Sequence, residues 1–277
     1  MPDHSRDAEL AETAVSALTA QLALTPKPGL PDLRDLAVHH LDHRTLRWSA
    51  KALLPGLTAM AAAARRAGRP TALLRAELGA IGRCTEHSLR LAGGGHTGAL
   101  WTLGLLVAAA ALDPSATGGT ITDTARRIVL HPDPKAPRKA THGSTMAVKY
   151  GAAGARGEAR AGFPHVRRAL GVLTASRSAG APEPQARLDA LLTVMSTLRD
   201  SELLYVAGPS GLRHVHTAAQ AVLSAGGTTT PAGAEALAAL DDDLTRRTWS
   251  PRGSAALLAG ALFLDSLPAP APARPAH

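Results

Sequence analysis

Leu, Ala and Val recur three and four positions apart along this chain, and Pro and Gly break the recurrence at intervals. That period places the apolar side chains of each run on one face of a helix. Residues 8–23 form the first run. It stops at Thr25-Pro-Lys-Pro-Gly29, where two prolines remove amide donors and clash with a continuing helix. Residues 45–67 and 69–92 are two more, divided at Ala67-Gly-Arg-Pro70. Trp101–Leu112 is apolar on every side, which predicts a buried helix too short to cross a bilayer. From Asp113 to Pro137, Pro, Gly, Thr and charge predict turns around one short helix. Residues 185–199, 211–224 and 232–247 predict three further helices, and Pro268–His277 alternates Pro and Ala as a disordered tail does. The expectation is an all-α fold. It is a single-domain multi-helix bundle over residues 1–267, with glycine-rich loops lining a central pocket and a tail at 268–277.

Composition narrows the picture. At 277 residues and 45% hydrophobic, the chain can bury a sizeable core, and with aromatics at 3% that core must be built from Leu, Ala and Val, which suits closely packed helices. The formal net charge of +8, carried mostly by arginine, attracts polyanions such as nucleotides or CoA. No basic helix is interleaved with aromatics, so nucleic acid is not an expected partner. The single cysteine, Cys84, excludes an intrachain disulfide and a cysteine-based zinc site, which makes a cytoplasmic location the default. Met1-Pro-Asp-His-Ser-Arg-Asp7 lacks the basic-then-apolar pattern of a signal peptide, and no membrane partner is expected.

Candidate chemistry begins in the middle of the chain. Tyr150-Gly-Ala-Ala-Gly-Ala-Arg-Gly-Glu-Ala-Arg-Ala-Gly-Phe-Pro164 sets glycines, arginines and one carboxylate into an otherwise Ala/Leu-rich sequence. Glycines there let main-chain N–H groups approach a phosphate, Arg156 offers a planar fork, and Glu158 would orient Arg156, hold a cation or take a proton. The same glycines would equally let two helices cross closely, with Arg156 and Glu158 a solvated pair. Lys27 sits between two prolines on a stiff backbone, either holding its ammonium over a phosphate or as an exposed lysine in a turn. Gly93-Gly-Gly-His-Thr-Gly98 precedes an apolar helix and reads as a phosphate site or as a flexible linker. His39 and His40 are adjacent and point different ways on a helix, which argues against zinc.

Taken in order, Thr25-Pro-Lys-Pro-Gly-Leu30, Gly98-Ala-Leu-Trp-Thr-Leu-Gly-Leu-Leu106, Thr141-His-Gly143, the central stretch and Ser250-Pro-Arg-Gly-Ser-Ala-Ala-Leu-Leu-Ala259 resemble the triphosphoribosyl-dephospho-CoA synthase family, found with citrate lyase and malonate decarboxylase. The resemblance covers roughly residues 15 to 265. It implies a largely helical transferase that moves a triphosphoribosyl group from ATP to the ribose 2′-hydroxyl of 3′-dephospho-CoA and releases adenine. ATP and dephospho-CoA are then the expected small-molecule partners, Mg²⁺ the expected cofactor, and a homodimer an open expectation. Substitution at an anomeric carbon needs groups that hold the triphosphate, a base for the hydroxyl and a carboxylate near the oxocarbenium-like ring.

Residue by residue, the resemblance implies Glu86, His96, Glu158 and Asp200 as catalytic, with His96 as an acid for the departing adenine. It implies Lys27, Gly29, Asp32, His39, Gly98, His142, Arg156, Ser250 and Arg252 as nucleotide-binding, and Glu86, Asp200 and Glu202 as metal ligands. The chain departs from the family pattern where Gln21, Ser144, Val206 and Ala256 stand in place of charged residues, Thr97 in place of a basic one and Glu202 in place of an amide. A divergent member would look like this. So would the same scaffold turned to another small substrate, or a non-catalytic nucleotide-binding protein.

Overall fold

The computed structural model describes residues 2–34, 43–136, 142–152 and 154–268, with only the backbone described for residues 2–4 and for His142. Among these residues are thirteen helices and no strand. They are α1 (Pro2–Leu22), α2 (His43–Lys51), α3 (Leu54–Ala67), α4 (Ala72–Leu91), α5 (Thr97–Leu112), α6 (Gly118–Leu130), α7 (His142–Tyr150), α8 (Gly154–Arg160), α9 (Pro164–Ser178), α10 (Glu183–Met195), α11 (Ser201–Ser224), α12 (Pro231–Arg247) and α13 (Arg252–Asp265). The fold is all-α, as the apolar periodicity predicts.

The core is organised around α5 and α13, the two most apolar helices. Nearly every side chain of α5 from Ala99 to Ala111 is buried, and α13 is buried from Ala256 to Leu264. Such helices belong at the centre of a bundle. α5 packs against α1, α3, α4, α6 and α13, while α13 also packs on α1, α9 and α10. Small residues set the distance between them: a side chain on Gly260 would collide with Thr102 and Leu106, and one on Gly104 with Met60. Each fully buried leucine along these faces contributes about 1.5–3 kcal/mol relative to exposure.

Helix boundaries follow local chemistry. The periodic run 45–67 divides into α2 and α3 because Pro55 at the start of α3 cannot donate to the turn before it. Thr71 accepts the N–H of Leu74 at 3.1 Å to start α4, and Thr230 accepts that of Gly233 at 3.0 Å to start α12. α11 runs N-terminal to its predicted start at 211 and is kinked at Gly208 (φ 67°, ψ −174°), where Pro209 follows. Part of the central glycine-rich stretch is itself helical, as α8. The tail from residue 269 and His39 lie outside the described residues.

Ion pairs tie the helices at their flanks. Arg65 of α3 holds the buried carboxylate of Asp7 on α1, and Arg177 of α9 bridges Glu183 on α10 and Asp265 on α13. No helix of the described residues is long and apolar enough to cross a membrane.

Candidate active site

The first two dozen residues end in a loop that carries a charge inward. Asp32 accepts the N–H of Lys27 at 2.9 Å, and Arg34 chelates Asp32 while reaching Asp241 of α12. The network fixes the loop, and Arg34 holds the Asp32 carboxyl below its ordinary value despite burial. Gly29, at φ 63°, brings the loop against the main chain at Trp249 and the side chain of Leu244, where a Cβ would not fit. The side chain of Lys27 is thereby directed inside, where it is 1% exposed. Its Nζ donates to the carbonyl of Gln21 at 3.0 Å, leaving two of its three N–H donors without a partner among the described residues. Burial pulls its pKa down from 10.5 to about 7, and Asp32 offsets only part of that.

Lys27 lines a cavity of about 490 Å³, within the range of small-molecule sites. The cavity is closed by the starts of four helices: Thr97 and Gly98 of α5, Ala155 of α8, Ser201 and Glu202 of α11, and Arg252 and Gly253 of α13. Each helix start carries main-chain N–H groups without intrahelical acceptors and the positive end of the macrodipole. Glycine opens the approach to α5, because Gly93, Gly94 and Gly95 all have φ between 79° and 101°, a run that side-chain-bearing residues do not adopt.

Two further buried titratable groups line the cavity. His96, 5% exposed, lies against the carbonyl of Leu46 through Nε2 at 2.8 Å. A carbonyl only accepts, so Nε2 carries the proton and Nδ1 keeps a lone pair. Burial lowers the His96 pKa, the Leu46 bond opposes this and the charge of Lys27 adds to it, so the ring is neutral near pH 7. Asp200 caps α11, accepting from the N–H of Glu202 at 2.9 Å and of Leu203 at 3.4 Å. Its other oxygen accepts from Gly253 of α13 at 2.9 Å. One carboxylate thus pins two helix starts together. Burial pushes its pKa from 3.8 up to about 6, against those three bonds and with Glu202 adding repulsion.

Of the residues singled out from the sequence, Lys27, His96, Gly98, Asp200, Glu202 and Arg252 meet at this cavity. Others do not line it. Glu86 accepts the Trp101 Nε1–H at 2.7 Å, so the structure does not gather it with Asp200 and Glu202. Glu158 is buried and accepts the main-chain N–H of His165 at 2.8 Å, with His165 Nδ1 also at 2.8 Å, closing the turn between α8 and α9 rather than pairing with Arg156. Arg156 is exposed on α8, one residue beyond the rim. Ser250 has a buried hydroxyl with no partner among the described residues and lies outside the lining, as do Gly29 and Asp32. His142 begins α7.

Sequence reasoning missed the carbonyls of Gln21 and Leu46, which orient Lys27 and His96, since main-chain acceptors leave no trace in residue type. It also missed Gly253 as the tether of Asp200. The signal was there in the glycine of Ser250-Pro-Arg-Gly253, where a Cβ would come within 2.8 Å of Asp200 Oδ2.

Residues 7–275 match the family described as ATP:dephospho-CoA triphosphoribosyl transferase. The chain is 47% identical over 266 residues to a probable 2-(5″-triphosphoribosyl)-3′-dephosphocoenzyme-A synthase of Pseudomonas aeruginosa (strain UCBPP-PA14), covering 94% of this chain and 91% of that protein. Proteins bearing the same name in Pseudomonas putida and Azotobacter vinelandii (strain DJ) are 45% and 42% identical, over 92% and 96% of this chain and 93% and 94% of theirs. No solved structure matches. The comparisons give no support to a scaffold turned to other substrates or to a non-catalytic nucleotide-binding protein. With the match running through almost the whole helical bundle, including every wall of the cavity, the chain belongs to the triphosphoribosyl-dephospho-CoA synthase family of transferases.

Proposed function

We propose that this chain transfers the triphosphoribosyl group of ATP to the ribose 2′-hydroxyl of 3′-dephospho-CoA, with adenine as the leaving group. The observation that carries this reading is the convergence of a buried lysine, Arg252 and four helix starts on one cavity. A triphosphate suits that arrangement: its anionic oxygens meet Lys27, Arg252 and the N–H groups at the start of α5, while those at the starts of α11 and α13 are held by Asp200 and nearby carbonyls. Lys27, buried and with two donors left over from its bond to Gln21, supplies a compact positive charge there.

In the reaction the bond from C1′ to the adenine nitrogen breaks, the bond from C1′ to the acceptor oxygen forms, and the hydroxyl proton departs while adenine gains one. Neutral His96, with its Nδ1 lone pair, suits acceptance of the hydroxyl proton rather than the acid role expected for it. Asp200 and Glu202 place carboxyl groups at the wall, where negative charge would stabilise a ribosyl cation. Among the described residues no three His, Cys, Asp or Glu side chains converge, and three N–H groups already occupy the oxygens of Asp200. Mg²⁺ needs only one or two carboxylates beside substrate phosphates, so of the expected ligands Glu202 at the cavity wall would hold it and Asp200, already bonded, would not.

The test is chromatography of the purified protein with ATP and 3′-dephospho-CoA. Adenine and a triphosphoribosylated acceptor in equal amounts, formed only with both substrates, is the expected result. No adenine from the pair would overturn the proposal.

A further inference from the structure

Beyond the rim of the cavity, α4, α8 and the segment after α6 bring together a second cationic cluster. Asp133 follows α6, and its side chain is only 4% exposed. Arg83 of α4 donates to Asp133 Oδ2 at 2.7 Å. Arg75, two turns earlier on the same helix, places Nη1 at 3.7 Å from that oxygen, too far for a hydrogen bond. That Nη1 is buried and has no hydrogen-bond partner. Arg156 of α8 is near enough to act on Arg75 electrostatically and makes no ion pair among the described residues. Two guanidinium groups therefore share one carboxylate, and a third stands nearby without an acid of its own among the described residues. The surplus is two positive charges, with one buried donor unused.

Such a surplus is costly to assemble in the absence of an anion, since like charges repel and a buried donor without an acceptor forfeits its hydration. An anion with several oxygens would satisfy the unused N–H of Arg75 and the exposed fork of Arg156 together. Position narrows its identity. Arg156 directly follows Ala155, which lines the cavity, so neighbouring residues of α8 belong to the cavity and to the cluster. Trp101 packs on Gly82, the neighbour of Arg83, and lies one turn along α5 from Gly98 at the cavity wall. The cluster and the cavity thus draw on neighbouring residues of α8, and α5 runs from the cavity wall to the helix that carries Arg83. A cavity of about 490 Å³ suits one nucleotide-sized ligand, whereas the transfer needs two substrates at once.

We infer that Arg75, Arg83 and Arg156 form a subsite for the diphosphate of the acceptor, 3′-dephospho-CoA, while the cavity holds the triphosphate of ATP. The inference rests on the proposed transferase reading for the ligand's name, but not for the existence of an anion site.

Two variants test it. Arg156→Ala removes an exposed side chain and leaves the bonds of Asp133 intact, and Arg75→Gln removes the buried donor. Both are checked for an unchanged far-ultraviolet spectrum, and Arg156→Ala carries the test if Arg75→Gln does not fold. Titration calorimetry with 3′-dephospho-CoA, ATP and inorganic pyrophosphate is read beside the KM of each substrate. The expected result is about tenfold weaker binding and a similarly raised KM for 3′-dephospho-CoA, with ATP changed by less than about twofold. Wild-type affinity for 3′-dephospho-CoA in the folded variants, or an equal loss for ATP, would overturn the subsite. Adenine release by the wild-type protein is scored separately. If none is seen, loss of pyrophosphate binding in the variants still supports the anion site, and unchanged pyrophosphate binding refutes it.

Discussion

Replacing Lys27 with Met removes the charge and keeps most of the shape of the side chain, so it isolates what the buried ammonium does. In the folded protein the Lys27 pKa lies at about 7 instead of 10.5. At about 1.4 kcal/mol for each tenfold change, burying the charged form costs on the order of 5 kcal/mol. Below pH 7 Lys27 is protonated both folded and unfolded, and the whole cost is present. Between pH 7 and 10.5 the unfolded chain binds more protons, so the stability of the ligand-free protein rises with pH through that window. Lys27→Met abolishes this dependence and, at pH 6, stabilises the protein by about 2–4 kcal/mol, because an apolar replacement removes the buried charge. Binding shows the opposite sign. At pH 8 roughly nine-tenths of Lys27 is neutral, and a triphosphate placed against it draws a proton back. Titration calorimetry of ATP at pH 8 in buffers of different ionisation enthalpy should report uptake of close to one proton more by wild type than by Lys27→Met. Urea melts at pH 6 and 9 supply the stability half. Equal proton uptake by the two proteins, or a pH dependence of stability that survives the substitution, would refute the reasoning.

Asp200→Ala removes the cap of α11 and its tether to α13, and should lower stability by about 2 kcal/mol and shift the thermal midpoint down, read by calorimetry at pH 7.5. Because burial raises the Asp200 pKa from 3.8 to about 6, the folded state binds more protons between those values. Asp200→Asn should therefore flatten a fall in stability as pH rises from 4 to 6, visible in urea melts across that range. Glu86→Gln keeps an oxygen for Trp101 Nε1 away from the cavity, so adenine release should stay within about threefold of wild type. A loss of 100-fold would return Glu86 to the catalytic set. Gly82→Ala should destabilise by about 1–3 kcal/mol, measured by urea melts, since its Cβ would enter the ring of Trp101.

What the sequence made legible follows from which interactions leave a mark on residue type. The apolar runs of α5 and α13 give the core, because a helix buried all round must be apolar all round. Lys27 was legible through its two prolines, and Gly98, Asp200 and Arg252 through blocks shared with a family. Glu158 shows the limit. A carboxylate in a glycine-rich stretch reads equally as chemistry or as closure of a turn, and only the distance to His165 decides that its bonds go to the start of α9. Glu86 is the same case, since nothing in its spacing reveals that Trp101 occupies it. The cluster around Asp133 was invisible because its arginines come from α4 and α8, which tertiary packing brings together.

The most direct measurement is a crystal structure of the protein with ATP bound in the absence of acceptor. The account predicts triphosphate oxygens within hydrogen-bond distance of Lys27 Nζ, Arg252 and the main-chain N–H groups at the start of α5. A triphosphate seated elsewhere, with Lys27 still donating only to Gln21, would contradict it.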